Sequence, residues 1–295
     1  MPSPLETQRK KSLTGLTKKD VVVSLGCVVF LLANIGAIGS GGRKRAKEAV
    51  CMSNLRKWGV CFQMFANDDD GCFPPGNPGG RDPSLSWVYM LQPYYKDGML
   101  KMCPEATRPY KGDGTSAFKA FGPLWGPGVD EYGPRTDSGD PWEAEFPPED
   151  YGFSYTDTDR YVSYAQNDWA RSVLGTGRRA DRRWKSPNVK GADNIPLFFD
   201  IKQFYVCEPD DDHEPPEYEG EPGSWPEPMK LVCINRHNGA INGVFFDWSV
   251  RKIGLKCLWT LKWHRLFNNV YGTWVTRPGY IPAWPEWMGR LRECD

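Results

Sequence analysis

The clearest pattern along the chain is an uncharged apolar run followed by a periodic one. Val21 to Ile38 reads VVVSLGCVVFLLANIGAI, with Ser24 and Asn34 as its strongly polar members. At about 1.5 Å per residue a helix of this length reaches about 27 Å, close to the thickness of a bilayer core. Lys18, Lys19 and Asp20 precede the run, and Arg43, Lys44 and Arg45 close it. Basic side chains on both sides leave orientation undecided. A cleaved secretory signal would need a small-x-small site after the run, which residues 37–41 loosely offer. A buried soluble helix sits poorly between two basic clusters. A retained membrane helix over 21–38 is the reading these residues favour.

Beyond it, Ala46, Ala49, Val50, Leu55, Trp58, Phe62 and Phe65 recur near the helical period. Asp68-Asp69-Asp70-Gly71 then reads as a helix stop. The pattern predicts one helix over 16–70, half apolar and half amphipathic, behind a basic leader over 1–15. From residue 71 to 295 the texture changes to dense Pro and Gly, short apolar runs and frequent aromatics. Leu85 to Leu91 is a short helix or strand, and residues 104–150 read as a long insertion. Asp159 to Asn167 and Ile195 to Phe199 are strand candidates, the second leading into Asp200. Leu231–Asn235 and Gly243–Ile253 read as antiparallel neighbours joined by a turn over 236–242. Leu255 to Phe267 looks helical, and the aromatic tail over 271–287 is expected to wrap the sheet. The expected class is α+β: a long N-terminal helix packed on an antiparallel sheet domain with long Pro/Gly-rich loops.

Composition narrows the function classes. Hydrophobic residues make up 40% and charges cancel to zero, which excludes a polytopic membrane protein and argues against a nucleic-acid partner. The cancellation is local. Arg178, Arg179, Arg182, Arg183 and Lys185 form a basic cluster, and residues 204–228 hold nine acidic residues and no Lys or Arg. The two segments are expected to pair, within or between subunits. Of nine cysteines, Cys27 lies in the apolar run; the other eight suit disulfides in an exported domain or buried free thiols.

A basic leader ending in Gly15, a carboxylate five positions on at Asp20, an apolar run and an amphipathic continuation resemble a type IV prepilin. Cys51, Asn54, Leu55 and Gly59, then Cys103-Pro104, are similar to elements of bacterial pseudopilin-like proteins. Arg236-His237-Asn238-Gly239 through Asp247 is similar to the His-x9-Asp-Gly signature that accompanies such N-termini in planctomycete-like bacteria. The likeness covers roughly residues 8–110 and 230–268. Asp20 stands where the family has Glu, Lys18 and Lys19 where it is apolar, and Trp248 where it has Gly.

The resemblance implies processing between Gly15 and Leu16 by a prepilin peptidase, with Asp20 meeting a neighbour's amino terminus. An unpaired charge is expensive inside an apolar bundle, which is the physical reason for such a carboxylate. It implies a non-catalytic, inner-membrane-anchored subunit with its globular domain exported to the periplasm or cell surface. Its partners would be the membrane and other pilin or pseudopilin subunits, or copies of itself. Cys51–Cys103 is the first disulfide expected, because family-like elements carry both; Cys61–Cys72 and Cys207–Cys233 follow. A single-pass surface-anchored binding module, its tail aromatics stacking on sugars, is the alternative from another class.

The chemistry-bearing residues are few. The histidines are His213, His237 and His264. His237 with Asp247 is expected as a structural pair pinning a turn, with Asp200 nearby; metal binding and catalysis at this set are weaker readings. No C-x-x-C pair and no nucleophile motif such as G-x-S-x-G is present. No cofactor is expected. Asp210, Asp211 and Asp212 are candidate calcium ligands, set against a plain solvated loop.

Overall fold

The computed structural model describes residues 17–37, 40–76, 87–106, 108–109, 119–120, 162–172, 180–202, 206–221, 227–274 and 283–294. The expected leader over 1–15, the Gly15–Leu16 cut and most of the 104–150 insertion lie outside them. The chain divides into two compact units, residues 1–46 and 47–295.

In the first unit, helix α1 runs Lys18–Ala37. It starts with a capping box: Asp20 Oδ2 accepts from Thr17 N at 2.8 Å, and Asp20 N donates to Thr17 Oγ1 at 3.3 Å. Those bonds to Thr17 hold the Asp20 carboxyl below its ordinary range. Val22 and Leu25 are 70% and 65% exposed, and Val23, Val28 and Val29 are exposed with them. Among the described residues no helix is long and apolar enough to cross a membrane. The expected 21–38 span ends outside those residues.

Helix α2 spans Ser40–Asp68. Asp70 and Gly71 both adopt positive φ, and Gly71 N donates to Ala66 O at 2.7 Å, closing the helix where the sequence predicts a stop. Short helix α3 (Trp87–Met90) follows, then 3-10 turns over Gln92–Tyr94 and Gly98–Lys101. Strands β1 (Arg108–Pro109) and β2 (Lys119–Ala120) form a small parallel pair. The main sheet contains β3 (Tyr164–Asn167), β4 (Pro196–Asp200), β5 (Val206–Cys207), β6 (Ala240–Phe245) and β7 (Val250–Gly254). Its order is β5-β3-β4-β6-β7; the β3-β4, β4-β6 and β6-β7 pairs are antiparallel and β3-β5 is parallel.

Both faces of this sheet are covered, so β3, β4 and β6 are buried along their whole length. Alternation sorts their side chains. Phe198, Val244 and Tyr164 face a core built with Cys51, Leu55, Trp58, Phe62 and Phe65 of α2. Their neighbours Phe199, Phe245 and Ala165 face a second core with Trp259, Trp263 and helix α4 (Pro228–Val232). Each fully buried large side chain contributes about 1.5–3 kcal/mol, so the α2 stripe is a principal anchor of the domain. Trp58 stacks edge-on to Trp87 at 5.0 Å and donates through Nε1 to Leu100 O at 2.8 Å.

Three local expectations are corrected. The hairpin is β6-β7, turning at 246–249, and Leu231–Val232 belong to α4 rather than to a strand. Leu255–Thr260 is a 3-10 helix that stops at Leu261. In the β6-β7 turn Trp248 takes φ 66°, a left-handed conformation costing an L-residue about 1–2 kcal/mol. Helix α5 (Glu286–Gly289) closes the described tail. Trp274 and Trp284 pack on Trp259 at 5.8 and 5.3 Å, so these aromatic faces are spent inside the domain.

Candidate functional site

Four elements converge on one buried point in the second unit. Cys51 comes from the buried face of α2 and Cys103 from the loop after the 98–101 turn. Asp200 ends β4, and His237 lies on the tight loop before β6. That loop is built by its backbone. His237 N donates to Ala240 O at 2.9 Å, Gly239 N donates to Asn235 Oδ1 at 2.6 Å, and Asn238 and Gly239 have φ 53° and 79°. The potential ligand atoms of Cys51, Cys103, Asp200 and His237 all lie within 4.8 Å of one another, and all four residues are buried.

The contacts within the cluster are dense. His237 Nε2 is 3.1 Å from Asp200 Oδ2 and 3.4 Å from Cys103 Sγ. Cys51 Sγ is 3.8 Å from both Asp200 oxygens. It also receives Tyr164 OH at 3.3 Å and Asn242 Nδ2 at 3.4 Å. Arg236 Nη1 donates to Asp200 Oδ1 at 3.0 Å, and Asn242 N donates to Oδ2 at 2.8 Å. Cys103 N donates to Ser163 Oγ at 2.6 Å, and Ser163 O accepts from Arg236 at 2.9 Å, which ties the Cys103 loop to the end of β4.

Electrostatics follow from burial set against neighbours. Burial alone would raise the Asp200 carboxyl, but His237 and Arg236 more than offset it and hold it below its ordinary value. Burial opposes a charge on His237, yet Asp200 and Cys103 push it up to about 10. Burial pushes the Cys51 thiol well up. Cys103, raised by burial but lowered by Cys51, His237 and Arg236, falls to about 7.

The structure therefore pairs His237 with Asp200 and not with Asp247. Asp247 sits ten positions on, beyond the length of β6, and its Oδ1 accepts from Ser249 N and Oγ to close the hairpin turn. Of the expected disulfides, Cys51 and Cys103 are neighbours but free, and Cys61, Cys72, Cys207 and Cys233 are free as well. Cys61 Sγ lies 3.5 Å from Tyr94 O and Cys72 Sγ 4.0 Å from Asp70 O, so each is engaged away from the other. Cys207 Sγ lies 3.6 Å from Pro228 O, and Cys233 is buried in the second core. The bridge formed is Cys257–Cys294, across 37 positions and with Cα atoms 5.1 Å apart.

The calcium candidates fall elsewhere. Asp210 is buried and forms an ion pair with Arg182; its Oδ1 lies 2.9 Å from His264 Nε2. Asp210 with Asp212 and His213, and Asp210 with Asp211 and His264, bring their possible ligand atoms within 4.8 Å of one another. The basic 178–185 cluster and the acidic loop thus do meet, within the chain.

No family model matches this chain, and neither does any curated protein or solved structure.

Proposed function

We propose that the chain is a non-catalytic pilin- or pseudopilin-like subunit, held in the inner membrane by its N-terminal helix. It assembles into a type IV pilus-like or type II secretion pseudopilus filament. The observation that carries this reading is the contrast between two helices. The described half of α1 exposes Val22, Val23, Leu25, Val28 and Val29, whereas α2 buries a full apolar stripe in its own domain. An exposed apolar surface of that extent demands cover. Lipid supplies it before assembly and neighbouring copies of the helix supply it afterwards.

The motif order adds to this: Gly15, Leu16 and Asp20 ahead of the run, then Cys51 and Asn54-Leu55, then Arg236-His237. The polar groups of the buried cluster are engaged with one another, which suits a structural role. In this reading Asp20 exchanges its bond to Thr17 for the α-amino group of an adjacent mature subunit once Leu16 becomes the N-terminus.

The test is Asp20→Asn in a host that carries a prepilin peptidase and the assembly machinery. Asn keeps an acceptor for Thr17 and removes the charge. Membrane insertion and domain stability are expected to stay unchanged while sedimentable filament in the sheared fraction is lost. Equal filament yield from both forms would remove the assembly role of Asp20.

A further inference from the structure

We propose that Cys51, Cys103, Asp200 and His237 form a buried structural zinc site that fastens α2 to the sheet. The donor set is two sulfurs, one imidazole nitrogen and one carboxylate oxygen, each a donor type that binds zinc, and four in number as tetrahedral zinc requires. With Zn–S near 2.3 Å and Zn–N or Zn–O near 2.0 Å, the edges of such a tetrahedron are about 3.3–3.8 Å. The separations here are 3.1 Å for His237 to Asp200, 3.4 Å for Cys103 to His237 and 3.8 Å for Cys51 to Asp200.

Proton bonding alone serves this arrangement badly. The single proton on His237 Nε2 cannot point at both Asp200 Oδ2 and Cys103 Sγ, whereas a central cation satisfies both together with Cys51. Two hydrogen-bond donors also converge on one of the sulfurs. Tyr164 and Asn242 both aim donors at Cys51 Sγ, the outer-shell arrangement that supports a metal-bound thiolate.

Charge closes as well. Two thiolates and Asp200 carry three negative charges; Arg236 offsets one, and a divalent ion offsets the other two. Soft sulfur selects zinc over calcium or magnesium. As the ion enters, both thiols and the imidazolium release their protons to solvent and no group changes oxidation state. All four ligands come from the protein, so the site is closed and structural. The inference stands apart from the filament reading: a chain that never polymerises would still bind the metal.

The experiment is elemental analysis of the full chain, purified in detergent without a metal-affinity step and dialysed against zinc. About one zinc per chain is expected. Cys51→Ser with Cys103→Ser should lower it at least tenfold, while Asp247→Asn, outside the cluster, should retain it. Tyr164→Phe should weaken zinc affinity about tenfold by removing a donor to the sulfur.

Because the double variant can fail to fold, the wild-type chain supplies a second readout. Cys51 and Cys103 should resist alkylation with zinc bound, react after chelation, and regain protection on adding zinc but not magnesium. Less than a tenth of an equivalent in the wild-type chain would overturn the proposal. So would a peptide map showing Cys51 joined to Cys103 as a disulfide.

Discussion

Arg236 lies against Asp200 with Nη1 and Oδ1 3.0 Å apart and both side chains wholly buried. The guanidinium also donates to Ser163 O at 2.9 Å and Ile201 O at 2.7 Å, so one side chain ties three backbone segments. Removing Arg236 leaves the buried Asp200 with His237 as its remaining cationic neighbour and strips Ser163 O and Ile201 O of their donor. Arg236→Leu is therefore expected to destabilise the domain by about 3–5 kcal/mol in urea unfolding. A loss under about 1 kcal/mol would show that His237 and Asn242 suffice for Asp200 without the guanidinium.

The buried stripe of α2 supplies the second prediction. Trp58 touches Trp87, Tyr95 and Phe198, with ring centroids 5.0, 4.8 and 5.4 Å away, and Lys57 beside it is exposed. Trp58→Ala should cost about 3–5 kcal/mol. Lys57→Ala should stay within about 0.5 kcal/mol. Comparable losses at both positions in chemical denaturation would mean that α2 does not dock by this face.

Cysteine pairing is the third. Cys257 and Cys294 should appear as one linked peptide pair under non-reducing digestion, while Cys61, Cys207 and Cys233 alkylate as free thiols only after unfolding. Reduction of a bridge closing a loop of this size is expected to cost about 2–4 kcal/mol. A map linking Cys207 to Cys233 would contradict the packing of the second core.

Acid sensitivity is the fourth. Burial raises the Asp210 carboxyl, but His264, Asp211 and Arg182 outweigh it and hold it well below the usual carboxylate value. A folded-state value below the unfolded one makes the contribution fully present above about pH 4. It is lost as pH falls through the folded value. Stability followed by near-ultraviolet circular dichroism should drop between about pH 4 and pH 2 in the wild type. Asp210→Asn should be weaker at pH 7 and show a shallower acid decline. An identical acid profile in both chains would place the sensitive carboxylate elsewhere.

Much of this was legible because it is local. The period of Leu55, Trp58, Phe62 and Phe65 marks the face that α2 buries, and Asp70-Gly71 marks its end. Ile195–Phe199 and Asp159–Asn167 contain or overlap the real strands β4 and β3. The hairpin differs from the expected one because Gly243, a strand start by its pattern, lies inside β6. There it faces Phe199 and Ile253, whose nearest atoms would stand 3.3 and 3.0 Å from a Cβ. Leu255–Phe267 looked helical because its apolar residues share a face. Yet Asn167 Nδ2 donates to Trp263 O at 2.8 Å and Trp263 Nε1 donates to Leu258 O at 2.7 Å, which turns the chain inward after Leu261.

The cluster itself was only half visible. Its parts, Cys51, Cys103, Asp200 and His237, are spread from residue 51 to residue 237 with no C-x-x-C spacing to join them. Asp247 is the carboxylate closer to His237 in sequence. Asp200 wins in space because antiparallel pairing of β4 with β6 brings the end of β4 beside the start of β6. Only the sheet register makes that neighbour relation.

The central claim, a processed pilin-like subunit, is tested most directly by the intact mass and N-terminal sequence of the chain recovered from membranes of a host with an active prepilin peptidase. The account predicts a mature chain beginning at Leu16, and an unprocessed one when the peptidase is deleted. A chain that still begins at Met1 in the presence of the active peptidase would contradict it.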